Sequence, residues 1–410
     1  MLHVYDLEKG ITLARQSNSK EALKNVKRDN IKLEPYSELE RRFNSLKIPV
    51  YAEMILGLPG ETYESWIDGL GYLLHSNINN HIFIYQTQVY PNTELNEESY
   101  KKKHGIKTKK IELLETHCSP REQEWLREYE EIVIETSTMN KKDWKKSNLF
   151  SVVLLVIHSF KLGFYIMNYL ANELKISGKD LVKFICDHAN EKDHPFIYTN
   201  LIFRTNNWIE DLLKGKGRAI YNKKYSDVYL DIEEIIFLEV SQNFSVFYRE
   251  LKNLVRKLVG EEKWQKNHEI IDEIFMYQDL RMPRINMDNR QVNFKYNIAE
   301  YLFYVNSGSK SVKLKRIENS VKTVNTKNYE NNYWEFTRRK VIWARKGDNI
   351  KNEIDFDNKI LEKIKREEKN KMIKKEYFEN KYKLNIFDKI NKFEKYDSLE
   401  LKKNKRIHNS

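Results

Sequence analysis

The residues GLPGE at 57–61 stand where an apolar run ends and a helical pattern begins. The run VYAEMIL at 50–56 has the length and apolar content of a buried strand. Gly57 and Gly60 permit backbone angles that other residues avoid, Pro59 stiffens the turn, and Glu61 suits the positive end of a following helix. Taken alone, this is a plain strand-to-helix connection. In folds built from such units, ligands bind where strands end, so the same residues also mark a candidate site.

Other reactive residue types offer less. The chain has two cysteines, Cys118 and Cys186, which excludes a disulfide scaffold and any CxxC metal site within it. His117-Cys118 suggests a nucleophile pair, but neighbours in a strand point to opposite faces and no third orienting group is indicated. His3, His75, His81 and His158 lack metal-ligand spacing. The stretch YWEFTRRKVIW at 333–343 could stack bases beside Arg338 and Arg339, or form an amphipathic core strand or helix. The net charge of +12 comes mostly from lysines scattered among Asn, Ile and Glu, so nucleic acid is not the expected partner. MLHVYDLEKG carries no apolar signal segment, which makes a cytoplasmic location the expectation. His158, Lys161 and Asn168 interrupt the most apolar segment, 149–170, which reads as a buried helix or helix pair, with no membrane span.

The elements that must position the turn alternate regularly. A strand is expected over 10–17, a helix capped by Ser19 over 20–28, a second helical stretch over 36–46, and then the strand leading into the turn. The next helix, 62–76, places Trp66, Leu70, Leu73 and Leu74 on one face, and a strand over 81–90 stops at Pro91-Asn92. Strands separated by helices at this spacing require a parallel sheet, closed or open. The fold class is therefore α/β followed by mainly α. Four regions are expected: 1–148, a partial (β/α) barrel; 149–283, a helical domain with helices over 232–247 and 247–259; 284–351, a mixed α/β cap with extended segments; and 352–410, a Lys/Glu/Asn-rich tail, helical or disordered.

Three segments in order, GITLARQSNSKEALKNVKRDN at 10–30, VYAEMILGLPGET at 50–62 and IYQTQVYPNTEL at 84–95, resemble the second half of the radical SAM catalytic barrel. The class with a preceding cobalamin-binding domain is the most similar. Weaker similarity continues through THC at 116–118 and ETSTMNKKDW at 135–144. The resemblance implies a six-stranded TIM-type barrel, of which these would be the last three strands, and S-adenosylmethionine with a 4Fe-4S cluster as cofactors. It also implies reductive cleavage of S-adenosylmethionine to a radical that abstracts hydrogen from a small-molecule substrate, with methyl transfer where cobalamin is used. Gln16 and Ser17 match the strand end that faces the cofactor's ribose or amino-acid part, and Arg28 matches a helix arginine that pairs with its carboxylate. Ile55 and Gly57 match the motif beside the adenine, and Val89 matches a position at the adenine edge. For Arg28 a solvated helix charge, and for Ser17 a turn residue, are the competing readings.

The chain departs from that family in two respects. It contains no CxxxCxxC loop to hold the cluster, and Glu53 stands where many relatives carry glycine. The loop belongs on the first barrel strand, so the chain is expected to begin three strands into the barrel, as a truncation, a split-gene product with a separately encoded N-terminal half, or a remnant. Such a sheet is expected to leave an open parallel edge. Alternation along 50–57 puts Tyr51, Glu53, Ile55 and Gly57 on the lumen face, with Gln86 and Gln88 as candidate hydrogen-bond partners for Glu53. Glu53 then contacts substrate or cofactor, or makes a structural hydrogen bond. The expected function is the C-terminal part of a radical SAM enzyme, inactive alone. The alternative is a non-enzymatic, basic binding or scaffold module, with nucleic acid as its candidate partner.

Overall fold

The computed structural model describes residues 10–30, 35–36, 38–39, 43, 50–75, 81–122, 125–286, 289–306, 312–325 and 328–344. Most of the helix expected over 36–46, and all of the tail expected at 352–410, lie outside them. What is described is mixed α/β.

Three strands, β1 (Ile11–Gln16), β2 (Val50–Leu56) and β3 (Ile82–Gln86), form a parallel sheet in the order β1-β2-β3. Helices α1 (Lys20–Asn25) and α2 (Tyr63–His75) follow the first two strands. Strand β2 is central because one of its faces is wholly apolar: Val50, Ala52, Met54 and Leu56 are each at most 1% exposed. These side chains face the helix layer, where Trp66, Leu70 and Leu73 of α2 are fully buried and Met54 packs beside Gly69. Each large apolar side chain so buried contributes about 1.5–3 kcal/mol. Leu74, expected on the same helical face, is half-buried.

The opposite face of the sheet is less covered. In register across it lie Thr12 with Tyr51, Ala14 with Glu53 and Phe83, and Ile55 with Tyr85. Thr12, Ala14 and Tyr85 are exposed, and Glu53, Ile55 and Phe83 are half-buried. Among the described residues the sheet is open, and β1 forms one edge. The other edge is extended beyond the end of β3. Gln88 bridges antiparallel to Ile132 in β5 (Tyr129–Glu135), which pairs with β4 (Lys107–Glu112), and helix α3 (Glu98–His104) precedes that hairpin. An antiparallel hairpin thus takes up backbone groups that the expectation of an open parallel edge left unpaired.

Helix α4 (Lys141–Leu154) runs on through a π-helical turn, Leu155–Ser159, and the chain then bends by 92° into α5 (Phe164–Tyr169) and the π-helical turn after it. The polar residues that interrupt the apolar segment make this corner. Lys161 adopts φ 63°, its ammonium lies 4.1 Å from the Phe164 ring centroid, and its carbonyl accepts from the Gln278 side chain at 2.6 Å. No single helix among the described residues is long and apolar enough to cross a membrane. The bent pair passes that test by length and composition only, and Phe150, Leu154, Ile157 and Phe160 are fully buried within the protein.

Further on come α6 (Gly178–His188), α7 (Arg204–Leu213), α8 (Ile232–Val240), α9 (Phe244–Val259) and α10 (Glu261–Leu280). The helix expected to reach 247 stops at Val240, because Asn243 caps a new helix by accepting from the Val246 N–H at 3.4 Å. The region expected as a mixed cap with extended segments is helical in part, and 333–343, which the sequence leaves open between strand and helix, is helical over 333–342. Strands β8 (Asn289–Tyr296) and β9 (Arg316–Asn325) do pair, with the short pair β6 (Ile220–Tyr221) and β7 (Tyr229–Leu230) earlier in the chain. Between β8 and β9, however, Ile298–Asn306 is α11, and Tyr333–Thr337 is α12, continued by a π-helical turn at Arg338–Ile342. Aromatic-rich segments of this length satisfy either period, and the Asn332 cap on the Glu335 N–H decides for helix in the second. Arg338 pairs there with Asp227 and Arg339 with Glu335, while Phe336 and Val341 are fully buried.

The turn after β2 is the tightest point of the sheet. Gly60 has φ +94°, and an added Cβ would lie 2.6 Å from the Asn25 Nδ2 and 3.0 Å from backbone atoms of Glu21 and Ala22. Gly57, at φ +95°, would meet nothing closer than 3.5 Å. Gly60→Ala should therefore lower stability by about 1–3 kcal/mol in chemical denaturation, and Gly57→Ala by less. Equal losses would show that backbone conformation alone, without the α1 contact, sets the requirement.

Candidate functional site

The candidate site residues gather at the carboxyl ends of β1 and β2. Strand β1 carries a bulge between Ala14 and Gln16, and Gln16 adopts φ 59°. The bulge shifts the facing of residues at the strand end. Arg15 is buried, its guanidinium 4.5 Å from the Tyr36 ring centroid and hydrogen-bonded to Asn18. Gln16 is half-buried and Ser17 is fully buried.

Ser17 turns inward onto the GLPGE turn. Its hydroxyl donates to the Glu61 carboxylate, whose other oxygen accepts from the Ser65 hydroxyl, and Glu61 is fully buried. Burial pushes the Glu61 carboxyl above its ordinary value, and the two serine hydroxyls pull it part of the way back. The surrounding chain locks the turn further. Asn25 donates to the Pro59 carbonyl at 3.1 Å, and Thr138 accepts from the Gly60 N–H at 3.1 Å while donating to the Glu61 carbonyl at 2.8 Å. Ser19 caps α1, as its position suggested.

Arg28 reaches back to β1, donating to the Ala14 carbonyl at 3.1 Å and to Asn30 at 3.3 Å. Asn30 in turn donates to the carbonyls of Arg15 and Ser17. Glu53 and Ile55 share the open sheet face, and Gly57 follows at the end of β2. Val89 lies apart from them. Its N–H donates to Glu131 of β5 at 2.8 Å, and its side chain is buried with Tyr100, Ile106 and Val133.

The partners expected for Glu53 are used elsewhere. Glu53 stands opposite Phe83, so strand parity places Phe83 and Tyr85 on its face and Gln86 on the other. Gln86 donates to Asn148 of α4 at 2.7 Å, and Gln88 donates to Glu130. His117 lies in a turn at φ 65°, and its Nε2 contacts the buried Glu234 carboxylate at 2.9 Å. This supplies the partner that adjacency in the sequence could not reveal, and commits the ring to α8.

A cleft of about 700 Å³ runs beside β3 toward the helices. Phe83, Tyr85, Gln86, Asn148, Trp208 and Arg218 are among the residues that line it. Of these the sequence singled out Gln86 alone, as a candidate partner for Glu53; Asn148, Trp208 and Arg218 come from segments more than 50 positions later. Tyr85 stacks parallel to Phe83 at 6.3 Å, and His81 meets Phe83 edge-on at 4.6 Å. The alternation of aromatic residues along HIFIY was the available signal.

No family model matches the chain. Two curated proteins do. TokK of Streptomyces tokunonensis, named a cobalamin-dependent radical SAM methyltransferase, is 32% identical over 172 residues, which cover 42% of this chain and 25% of TokK. The resemblance is to a radical SAM enzyme. The 2-(S-pantetheinyl)-carbapenam-3-carboxylate methyltransferase of Streptantibioticus cattleyicolor is 31% identical over 170 residues, 41% of this chain and 24% of that protein. The chain spans about a quarter of the length of each of these relatives.

The buried Glu61 gives the radical-SAM-like turn a pH signature. The fold favours its protonated form, so this contribution is present below about 4.5 and lost as pH rises through the raised folded value. Glu61→Gln does not titrate. The melting temperature of the native chain minus that of Glu61→Gln should fall between about pH 4 and about pH 7. A difference that stays constant over that range would mean that Glu61 is not desolvated.

Proposed function

We propose that this chain forms the cofactor-facing second half of a radical SAM barrel, with its adjoining helices, in an enzyme of cobalamin-dependent methyl transfer. The observation that carries the reading is the consecutive parallel order β1-β2-β3 with the GLPGE turn at the end of the middle strand, in a chain similar to TokK. The closed barrel, the substrate and the methyl acceptor belong to the proposal. Cobalamin enters it through the name of TokK.

The residues present fit S-adenosylmethionine in kind. Ile55 offers an apolar surface for a base, and Glu53 offers carboxylate oxygens to amino or hydroxyl groups, both half-buried on the open face. Gln16 is half-buried at the end of β1, in register with Met54, and Arg28 brings a guanidinium to the same strand. When bound, the cofactor supplies radical and methyl-transfer chemistry; the role of these side chains is to seat and orient it. An iron–sulfur cluster does not fit this chain. It has two cysteines, and no group of three His, Cys, Asp or Glu among the described residues is placed to hold a metal. The reading therefore includes a cluster-bearing polypeptide with a CxxxCxxC loop as partner.

Equilibrium dialysis with labelled S-adenosylmethionine, with and without such a partner, tests the reading. Anaerobic reconstitution of this chain alone with iron and sulfide should leave no cluster after desalting. With the partner present, the cofactor should bind saturably, Gly57→Val should abolish binding, and Glu53→Gln should weaken it by about tenfold, the loss of one charge-assisted hydrogen bond. A stable cluster on the isolated chain, or binding indifferent to Gly57→Val, would contradict the proposal.

A further inference from the structure

The cleft beside β3 touches the cofactor-facing side of the sheet at Ile55 and continues past it toward the helices, and naming its ligand as a substrate rests on the function proposed above. One buried group there lacks a partner. Gln86 is 7% exposed, and its Oε1 is buried with no hydrogen-bond donor. The orientation of this amide is forced by its neighbours. The Trp144 carbonyl can only accept, so Asn148 gives it the Nδ2 donor at 2.9 Å and presents Oδ1 to Gln86. Gln86 must then donate Nε2 at 2.7 Å, which leaves its carbonyl oxygen as the free end. A buried acceptor without a donor is costly, and a donating ligand relieves that deficit.

The rest of the lining has the same preference. Glu115, Asp231 and Glu233 line the cleft; Asp231 already accepts from the Thr116 hydroxyl at 2.6 Å, so the exposed Glu115 is the carboxylate placed to meet a ligand, while the Arg218 guanidinium is held by Glu130 at 2.8 Å. The apolar part of the wall is aromatic, with Phe83 and Tyr85 of β3 stacked and Trp208 of α7 also lining it. Carboxylates, a free carbonyl oxygen and aromatic faces together suit a group that donates several hydrogen bonds and carries positive charge.

We propose that this cleft receives an organic ammonium compound, its apolar or aromatic part lying against Phe83, Tyr85 and Trp208 and its N–H groups directed to Gln86 and the carboxylates. An ammonium has three donors and no acceptor, which matches the Gln86 carbonyl oxygen and the Glu115 carboxylate. A carboxylate in the same place would set like charge against Glu115 and Glu233. The carbapenam-3-carboxylate in the name of one relative is such an anion, and the cleft here opposes it.

The test is isothermal titration of the full chain at neutral pH with tryptamine and with indole-3-propionate, which share the ring and chain length and differ in the charged end. Tryptamine should bind saturably and at least about tenfold more tightly than indole-3-propionate. Glu115→Gln, at an exposed position, should weaken tryptamine binding severalfold and leave indole-3-propionate no weaker. Gln86→Leu should weaken tryptamine as well; because it also deprives Asn148 of a donor, its melting curve is measured alongside. Equal affinity for the two compounds, no binding of either, or tryptamine binding untouched by Glu115→Gln overturns the proposal. S-adenosylmethionine is not a component of these titrations, so their failure would remove the ammonium substrate and leave the cofactor reading to its own dialysis experiment.

Discussion

One buried carboxylate holds the strand ends of the parallel sheet together. Glu61 sits fully enclosed between the hydroxyls of Ser17 and Ser65, one at the end of β1 and the other in the first turn of α2. A desolvated carboxyl is tolerable only where donors surround it, and these two serines fix the distance between two strand ends. Asn25 and Thr138 brace the same turn from α1 and from the segment after β5. Four separate parts of the chain thus meet at five residues, and the open ends of the strands take their arrangement from that meeting.

The same constraint divides the sheet into two unlike faces. Toward the helices, β2 presents side chains that are fully buried and contribute packing. On the other side, Glu53, Ile55, Phe83 and Tyr85 remain partly or largely exposed, next to the ends where a cofactor would lie. A fold that stabilises itself through one face leaves the other free for ligands. The bulge in β1 adds to this separation by sending Arg15 into the interior against Tyr36.

The helical region supplies the other wall of the cleft. Helix α4 reaches the sheet through Asn148, which orients Gln86, and reaches helix α2 through Ser151, which accepts from the Trp66 indole at 3.0 Å. The bend after α4 turns an apolar segment back into the protein and buries His158 and Lys161 at the corner. These contacts join the strand–helix half and the helical half through polar side chains set in an apolar surround, where unpaired groups are costly.

The sequence by itself determined the order of β1, α1, β2, α2 and β3, the strand-to-helix turn, the Ser19 cap and the buried character of 149–170. All of these are local: hydrophobic period, turn chemistry and capping are written within a few residues of one another. It also carried a resemblance, since three motifs in order are similar to the radical SAM barrel, and the chain is similar to TokK, a radical SAM methyltransferase, over 172 residues. Tertiary structure alone decided the rest. Whether Glu53 meets Gln86 depends on register between strands, and the register puts them on opposite faces. Aromatic-rich segments such as 298–306 and 333–342 fit either period, and their caps and packing made them helical. The partners of Ser17, His117 and Gln86 lie 44, 117 and 62 positions away. Contacts at that separation are set by how elements pack, and no spacing along the chain records them.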